Sequence, residues 1–356
     1  VSDIDFPLID FDSHYYEVLD AWTRHLDPRL KKQHRGVEIV TQGNRSYPMV
    51  GGRLSRFIPN ITFDPVAAPG SLEAYFRGEA EGKSLKQLAQ LESPRPEYQH
   101  REPRLAVMDE QNVERTVLLP TFTCGVEEAL HDDVEAMHGT LHAFNRWLLE
   151  EWGFDGRTVA TPMIAMADVG RATDEIAWVL SEGARVLLMT PGPVRGPGDV
   201  RHSPAHPMYD PIWQMIHDAG VTVAYHAADS GYFRYFRDYD DPPVMDAFSP
   251  DMRLGSLFSV DRPIQDMIGV MVLQGLFTRF PNLRLVSVEQ GSEWLVVLLA
   301  KLHKLWKRRP QIFTGDPVDT VRRHLWVCPF WEEDIHQLAG LIGVERVVFG
   351  SDWPHP

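Results

Sequence analysis

The sequence predicts a (β/α)8 barrel of the TIM type, and three observations lead there. Short apolar, β-branched-rich runs alternate with stretches of helical periodicity, eight times in all. Four of those runs end in aspartate, glutamate or histidine, as expected where strand ends carry the chemistry of a barrel. The alternation is broken once, by a long irregular stretch after the first run, and otherwise spans residues 1–356 as one domain.

The strand candidates are residues 7–12, 115–119, 159–167, 184–189, 221–226, 284–289, 324–328 and 346–350. Helical stretches fall at 103–112, 126–152, 172–182, 207–219, 264–280, 293–308 and 332–342. Several end on stop signals: Asp218-Ala219-Gly220, Phe280-Pro281-Asn282 and Ile342-Gly343. Pro356 follows the eighth run with no eighth helix, so the final helix is expected to lie beyond the given chain. Residues 36–100 contain Gly51-Gly52 and Pro48, Pro59, Pro65, Pro69, Pro94 and Pro96, and are read as an insertion lying over the barrel mouth.

A net charge of −15 argues against nucleic acid as a partner, which needs a basic footprint. No run approaches the roughly 18 apolar residues of a membrane span, and the acidic start Ser2-Asp3-Ile4-Asp5 has no signal-peptide character. Cys124 and Cys328 are too few for a disulfide framework and form no CxxC pair. A reduced, cytoplasmic setting is expected. Fifteen histidines invite a search for metal ligands.

The first strand runs into Asp12-Ser13-His14, and residues two apart on an extended chain share a side, so Asp12 and His14 can face one metal, with Glu17 just beyond. The fifth strand ends in His226, the sixth in Glu289, and the eighth in Asp352-Trp353-Pro354-His355. The competing reading is structural: a hydrogen-bonded network for Asp12, His14 and Asp352, a core histidine for His226, a salt-bridged group or general base for Glu289, a helix cap for Glu17. Convergence of four strands outweighs it for all but Glu17. Glu289 and Asp352 are candidate bases, and His355 a candidate for proton relay, substrate contact or a loop brace. Cys124 is read as a buried thiol, and His202, His206 and His303 carry no further mark.

Tyr232, Phe233, Tyr235, Phe236 and Tyr239 follow His226 and suit either a packed loop or a wall for a bulky apolar substrate. Arg53, Arg56, Arg234 and Arg237 are candidates for an anionic tail, and Trp353 for a substrate contact. The run Lys301, Lys304, Lys307, Arg308 and Arg309 ends a helix and answers to its dipole.

With these residues the chain resembles the amidohydrolase-related metal enzymes, the branch that includes aminocarboxymuconate-semialdehyde decarboxylase. The resemblance rests on the strand-one motif, residues 104–120, GLFTRFPNLRLVSVE at 275–289 and VVFGSDWPHP at 347–356. The family pattern is His-x-His on strand one, histidine on strands five and six, and aspartate on strand eight. His14, His226 and Asp352 match; Asp12 and Glu289 stand where the family has histidine. Two histidines with four carboxylates exceed the needs of one four-coordinate zinc and form the ligand stock of di-iron carboxylate sites. The sequence thus resembles a carboxylate-rich branch of barrel non-heme di-iron monooxygenases. That resemblance implies two irons, O2 as co-substrate, an external electron donor, and hydroxylation of a bulky apolar carboxylic acid carried as its coenzyme A thioester. Asp12, His14 and Asp352 would hold one iron, His226 and Glu289 the other, with Glu17 bridging. The alternatives are a hydrolase with one zinc or manganese and Asp352 or Glu289 as base, a metal-dependent non-oxidative decarboxylase, and a barrel that only binds ligand. A homo-oligomer is compatible with each.

Overall fold

The computed structural model describes the chain apart from residues 1–4, 44, 56, 59, 199, 242–253 and 331–332. Seven parallel strands form the wall: β1 Leu8–Tyr15, β2 Val113–Pro120, β3 Thr158–Ala160, β4 Val186–Met189, β5 Thr222–His226, β6 Arg284–Val288 and β7 Leu325–Cys328. Regular ladders join β1 to β2 and β2 to β3, and a second set runs β4–β5–β6–β7.

The ring closes through three isolated bridges. Met163 meets Leu188, flanked by Ile164 N–H donating to Leu188 O at 2.9 Å and Leu188 N–H to Pro162 O at 2.9 Å. Val347 meets Val327, and Trp353 meets Ser13. The expected eighth strand is therefore an irregular segment, with Val348 N–H bonded to Val327 O at 3.0 Å and Phe11 N–H to Phe349 O at 2.8 Å. The third strand is also shorter than expected, because Pro162 has no N–H to continue a ladder.

The outer helices are α1 Arg101–Glu110, α2 Val134–Glu151, α3 Val169–Ser181, α4 Asp210–Ala219, α5 Asp261–Leu273, α6 Glu293–Arg308, α7 Pro317–His324 and α8 Ile335–Ile342. Most of them bury an apolar stripe on the barrel, as Ile212, Trp213 and Ile216 do in α4. The stretch expected as one helix over 126–152 breaks because Asp133 starts a new one, its side chain accepting from Ala136 N–H. The stretch 264–280 breaks at Gly275, whose φ of 69° suits glycine. The helix α7 was not expected, and residue 332, the expected start of α8, lies outside the described residues. Within 36–100 the sequence reading foresaw no strands. The structure places an antiparallel sheet there, of Val37–Gln42, Arg45–Val50 and Arg53–Leu54, and a two-stranded pair of Val66–Ala67 with Leu91–Glu92. No helix among the described residues is long and apolar enough to cross a membrane.

His138 on α2 shows how the helix layer is sealed. It is buried, and its Nε2 accepts from Asp168 N–H at 3.2 Å, where Asp168 caps α3. Burial pushes its pKa from 6.5 down to about 4. Between those values the unfolded chain binds a proton that the folded chain refuses, so stability falls as pH drops from 6.5 toward 4. The loss amounts to about 3 kcal/mol at most. His138→Gln keeps an acceptor for Asp168 and removes the titration. Urea midpoints measured across that window should therefore change less with pH in the variant than in the wild type.

Candidate metal centre

The barrel brings five of the expected ligands to one point. His14 Nε2 lies 3.4 Å from Asp12 Oδ1, 3.3 Å from Asp352 Oδ1, 3.8 Å from Glu289 Oε2 and 3.1 Å from His226 Nε2. Donors about 2.0–2.2 Å from one ion stand roughly 3.0–3.4 Å apart at octahedral or tetrahedral angles. The separations to Asp12, Asp352 and His226 match ligands of one cation, while Glu289 stands farther from His14. The side chains fall into two overlapping groups that share His14: Asp12, His14 and His226, and His14, Glu289, Asp352 and His355.

Local structure aims each side chain. The β1–β2 register slips between Asp10 and Ser13, an extra residue on β1 that bends the strand as it delivers Asp12 and His14. Asp10 braces that bend: its carboxylate accepts from Asp12 N–H at 3.1 Å, Ser351 N–H at 3.0 Å and Ser351 Oγ at 2.6 Å. Burial pushes Asp10 up to about 6. Below β1, buried Arg104 donates from Nη2 to His14 O at 2.5 Å and from Nη1 to Ser13 Oγ at 3.0 Å. Asp352 N–H donates to Asp12 O at 2.8 Å, tying the last ligand to the first. A Cβ on Gly350 would stand 2.4 Å from both Asp12 Cβ and Cys328 Sγ, so only glycine lets the chain pass there.

The electrostatics ask for a cation. Asp12, His14 and His226 are almost wholly enclosed, with side chains 6%, 0% and 5% exposed, while Glu289 and Asp352 on the rim are 25% and 37% exposed. Burial, then the Asp352 charge, drives Asp12 well above the carboxylate range, and its Oδ1 accepts no hydrogen bond. Burial pushes His14 well down, helped by His355 and His226. For His226 and Glu289, 2.5 Å apart, burial opposes both charges but their mutual attraction outweighs it, raising the imidazole and lowering the carboxyl. His226 Nδ1 lies 2.7 Å from Ala227 O, which fixes its proton there and leaves Nε2 as a donor to metal. A divalent ion would neutralise the packed carboxylates and occupy the orphaned Asp12 oxygen, so the residues fit one. His355 completes the group: its Nδ1 is 2.8 Å from Asp352 Oδ1, its Nε2 3.1 Å from Thr121 Oγ1, and it stacks on His14. The sequence reading had not marked Thr121, Asp10 or Arg104 as site residues.

Glu17 does not join the cluster. Its carboxylate accepts from Phe122 N–H at 3.0 Å, and from Thr123 N–H and Oγ1 at 2.9 and 2.8 Å, so it holds the loop after β2. Cys124 is buried with Sγ 3.8 Å from His226 Nδ1. Trp353 is covered by Arg104, 4.1 Å above its ring, and by Tyr98. Phe236 is core rather than wall, and Tyr239 is largely exposed. Arg53, Phe233, Arg234 and Arg237 do converge, around a cavity of about 290 Å3 that also touches Phe57 and Gly125. Tyr232, Arg234 and Tyr235 line a neighbouring cavity of about 220 Å3. Arg56 lies outside the described residues.

A barrel with carboxylates and imidazoles gathered at its strand ends presents side chains that could hold a metal ion, the architecture of a metal-dependent enzyme class. The amidohydrolase family profile matches residues 9–356. An amidohydrolase of Mycobacterium avium subsp. paratuberculosis K-10 superposes with a TM-score of 0.92 at 42% identity, over 99% of this chain and 91% of that one. The chain belongs to the amidohydrolase family. More distant structures share the fold. A dihydroxybenzoic acid decarboxylase from Polaromonas, with bound manganese and 2-nitroresorcinol, has a TM-score of 0.60 at 14% identity, over 98% and 87% of the two chains. A 2,6-dihydroxybenzoate decarboxylase from Rhizobium has a TM-score of 0.56 at 14%, over 98% and 88%. No curated protein sequence matches the chain.

Removing a ligand and removing the loop brace should separate cleanly. Glu289→Ala should weaken metal binding by more than about tenfold, read as metal per chain after dialysis. Glu17→Ala should keep its metal and lose about 2–4 kcal/mol of stability, because Phe122 and Thr123 N–H lose a charged acceptor. Metal loss from the Glu17 variant would restore it as a ligand.

Proposed function

We propose that this chain is a hydrolase dependent on one divalent metal ion and acting on a small organic acid derivative. The observation that carries this reading is the convergence of Asp12, Glu289, Asp352 and His226 on His14 Nε2, all within 3.8 Å. His14 belongs to both groups of candidate ligands, which supports one shared ion, and Glu17, the expected bridge of a di-iron pair, is bonded elsewhere. A bound divalent ion supplies Lewis-acid polarisation of a carbonyl group and of water. Asp12, His14, His226 and Glu289 would hold it, with Asp352 on the open rim.

The remaining steps belong to the chain's own groups. Asp352 takes the proton as water adds to the carbonyl carbon. His355, bonded to Asp352 on one nitrogen and to Thr121 on the other, orients that carboxylate and gives its proton a way out to the leaving group. The enclosed floor keeps bulk water from the ligands, while the rim admits substrate.

A second reading, non-oxidative decarboxylation, draws support from the donor set. Three carboxylates with two imidazoles make a hard site that suits manganese better than zinc, and manganese is bound in the Polaromonas decarboxylase. In that case the Asp352–His355 pair would run the other way, delivering a proton to the carbon that CO2 leaves.

Metal analysis, O2 uptake and product analysis decide among these. One manganese or zinc per chain, no O2 consumption and 18O from water in the product support hydrolysis; CO2 release without 18O supports decarboxylation. Two irons per chain with O2 consumption would sink both and return the oxygenase expected from resemblance, with its coenzyme A thioester substrate. In either metal-dependent reading His355→Gln should lower kcat by about 10²- to 10⁴-fold with metal content unchanged. An unaltered kcat would leave His355 only a loop brace.

A further inference from the structure

The loop after β4 carries a guanidinium that the metal centre does not use. Arg195 sits in a short hairpin, Val194–Arg195 paired with Arg201–His202, and is only 7% exposed. Its Nη1 donates to Glu128 Oε1 at 2.7 Å. Its Nε and Nη2 are buried and have no hydrogen-bond acceptor among the described residues. These two nitrogens form one edge of the planar group, the parallel pair of N–H bonds that grips a carboxylate or phosphate in bidentate fashion. A buried donor without an acceptor is costly, and here there are two side by side.

We propose that Arg195 is the receptor for an oxyanion carried by the substrate, a carboxylate or phosphate group attached to an apolar body. The surroundings agree on charge and on shape. Arg195 borders the cavity of about 220 Å3 lined by Arg201, Tyr232, Arg234, Tyr235 and Arg262. Arg234 donates to the same Glu128 oxygen at 2.8 Å, so one carboxylate is shared by two guanidinium groups. Arg262 is paired with Asp266. Gly231, with φ at 71°, leaves room for this arrangement: a Cβ there would meet Glu128 Oε2 at 2.7 Å and Arg195 Nη1 at 2.8 Å. On the inner side Arg195 borders a small cavity walled by Met137, Met166, Met189 and Met267, flexible side chains that yield to an apolar group. Two acids stand nearby, Glu127 and Asp229; burial pushes both carboxyls up, Glu127 to about 7, which lessens their opposition to an anion. The outer wall includes Ser230, Gly231, Tyr232, Arg234 and Tyr235, from the loop that follows β5 and His226.

The word substrate rests on the proposed function; anion binding at Arg195 does not, and the test keeps them apart. Benzoate and inorganic phosphate are titrated by calorimetry into metal-loaded and metal-stripped protein, for the wild type, Arg195→Met and Arg195→Lys. Glu128 keeps Arg234 as a partner in both variants, and Arg195→Lys retains the charge should Arg195→Met fail to fold. Saturable wild-type binding is expected with and without metal, weakened more than about tenfold in either variant, with metal content unchanged. Tighter benzoate binding assigns a carboxylate, tighter phosphate binding a phosphorylated tail. No saturable binding of either probe, binding lost with the metal, or wild-type affinity in both variants overturns the proposal. Anion binding that persists in a protein turning over no acid would sink the proposed function alone.

Discussion

Three carboxylates and a second imidazole are forced around the enclosed His14 Nε2, and the mouth of the barrel is arranged to hold that conflict in place. Left alone, the group would share protons: burial drives Asp12 up and His14 down, while His226 and Glu289 hold each other charged. A cation answers the whole set at once. Positioning falls to groups that do not touch the ion. Asp10 ties β1 to Ser351, and Arg104 bonds the backbone of His14 from beneath, each fully engaged with hydrogen-bonding partners.

The site sits on the least regular seam of the barrel. The segment 347–353 makes no ladder, only single bridges to β7 and β1. Elsewhere in the ring, four residues of β7 pair with four of β6 and five of β5 with five of β6. A ladder would have held residues 347–353 in strict alternation. Single bridges instead let Gly350 pass against Asp12 and Cys328, and let Ser351, Asp352 and His355 all face the first strand's bend. The irregularity is therefore the means by which one short stretch supplies Ser351 as a brace and Asp352 paired with His355 beside the cluster.

Much of this was legible in the sequence, and the misses share a cause. Strand ends, and the carboxylates and imidazoles gathered there, follow from apolar runs that stop at polar residues, which is local information. Glu17 misled because a carboxylate beside a metal motif has the same local pattern whether it faces an ion or the N–H groups of Phe122 and Thr123, over one hundred residues away in sequence. Arg195 went unmarked for the converse reason: a lone arginine in a Gly- and Pro-rich loop looks solvated until the fold buries it against Glu128. The strands within 36–100 were hidden by Pro48 and by their polar, exposed residues, while Phe236 is buried inside the short helix Phe233–Arg237 and Tyr239 lies exposed beyond its end.

Glu289 shows how far alternation can lead and where backbone strain takes over. Residues level across a parallel ladder share a face, and on β6 it is Val288 that pairs with His226. Simple alternation would therefore aim Glu289 away from the imidazole. The backbone prevents this: Glu289 has a φ of 55°, a left-handed conformation that side chains other than glycine rarely take. The turn brings its carboxylate to 2.5 Å from His226 Nε2. Asp352, at the end of the eighth segment, has the same φ of 55°. Conformations of this kind cost of order 1–3 kcal/mol each and persist where surrounding contacts over-determine them. Here the contacts are the Asp352 N–H bond to Asp12 O and the Glu289–His226 pair. The two strained residues are also the two most exposed carboxylates of the cluster, so the strain lies on its rim.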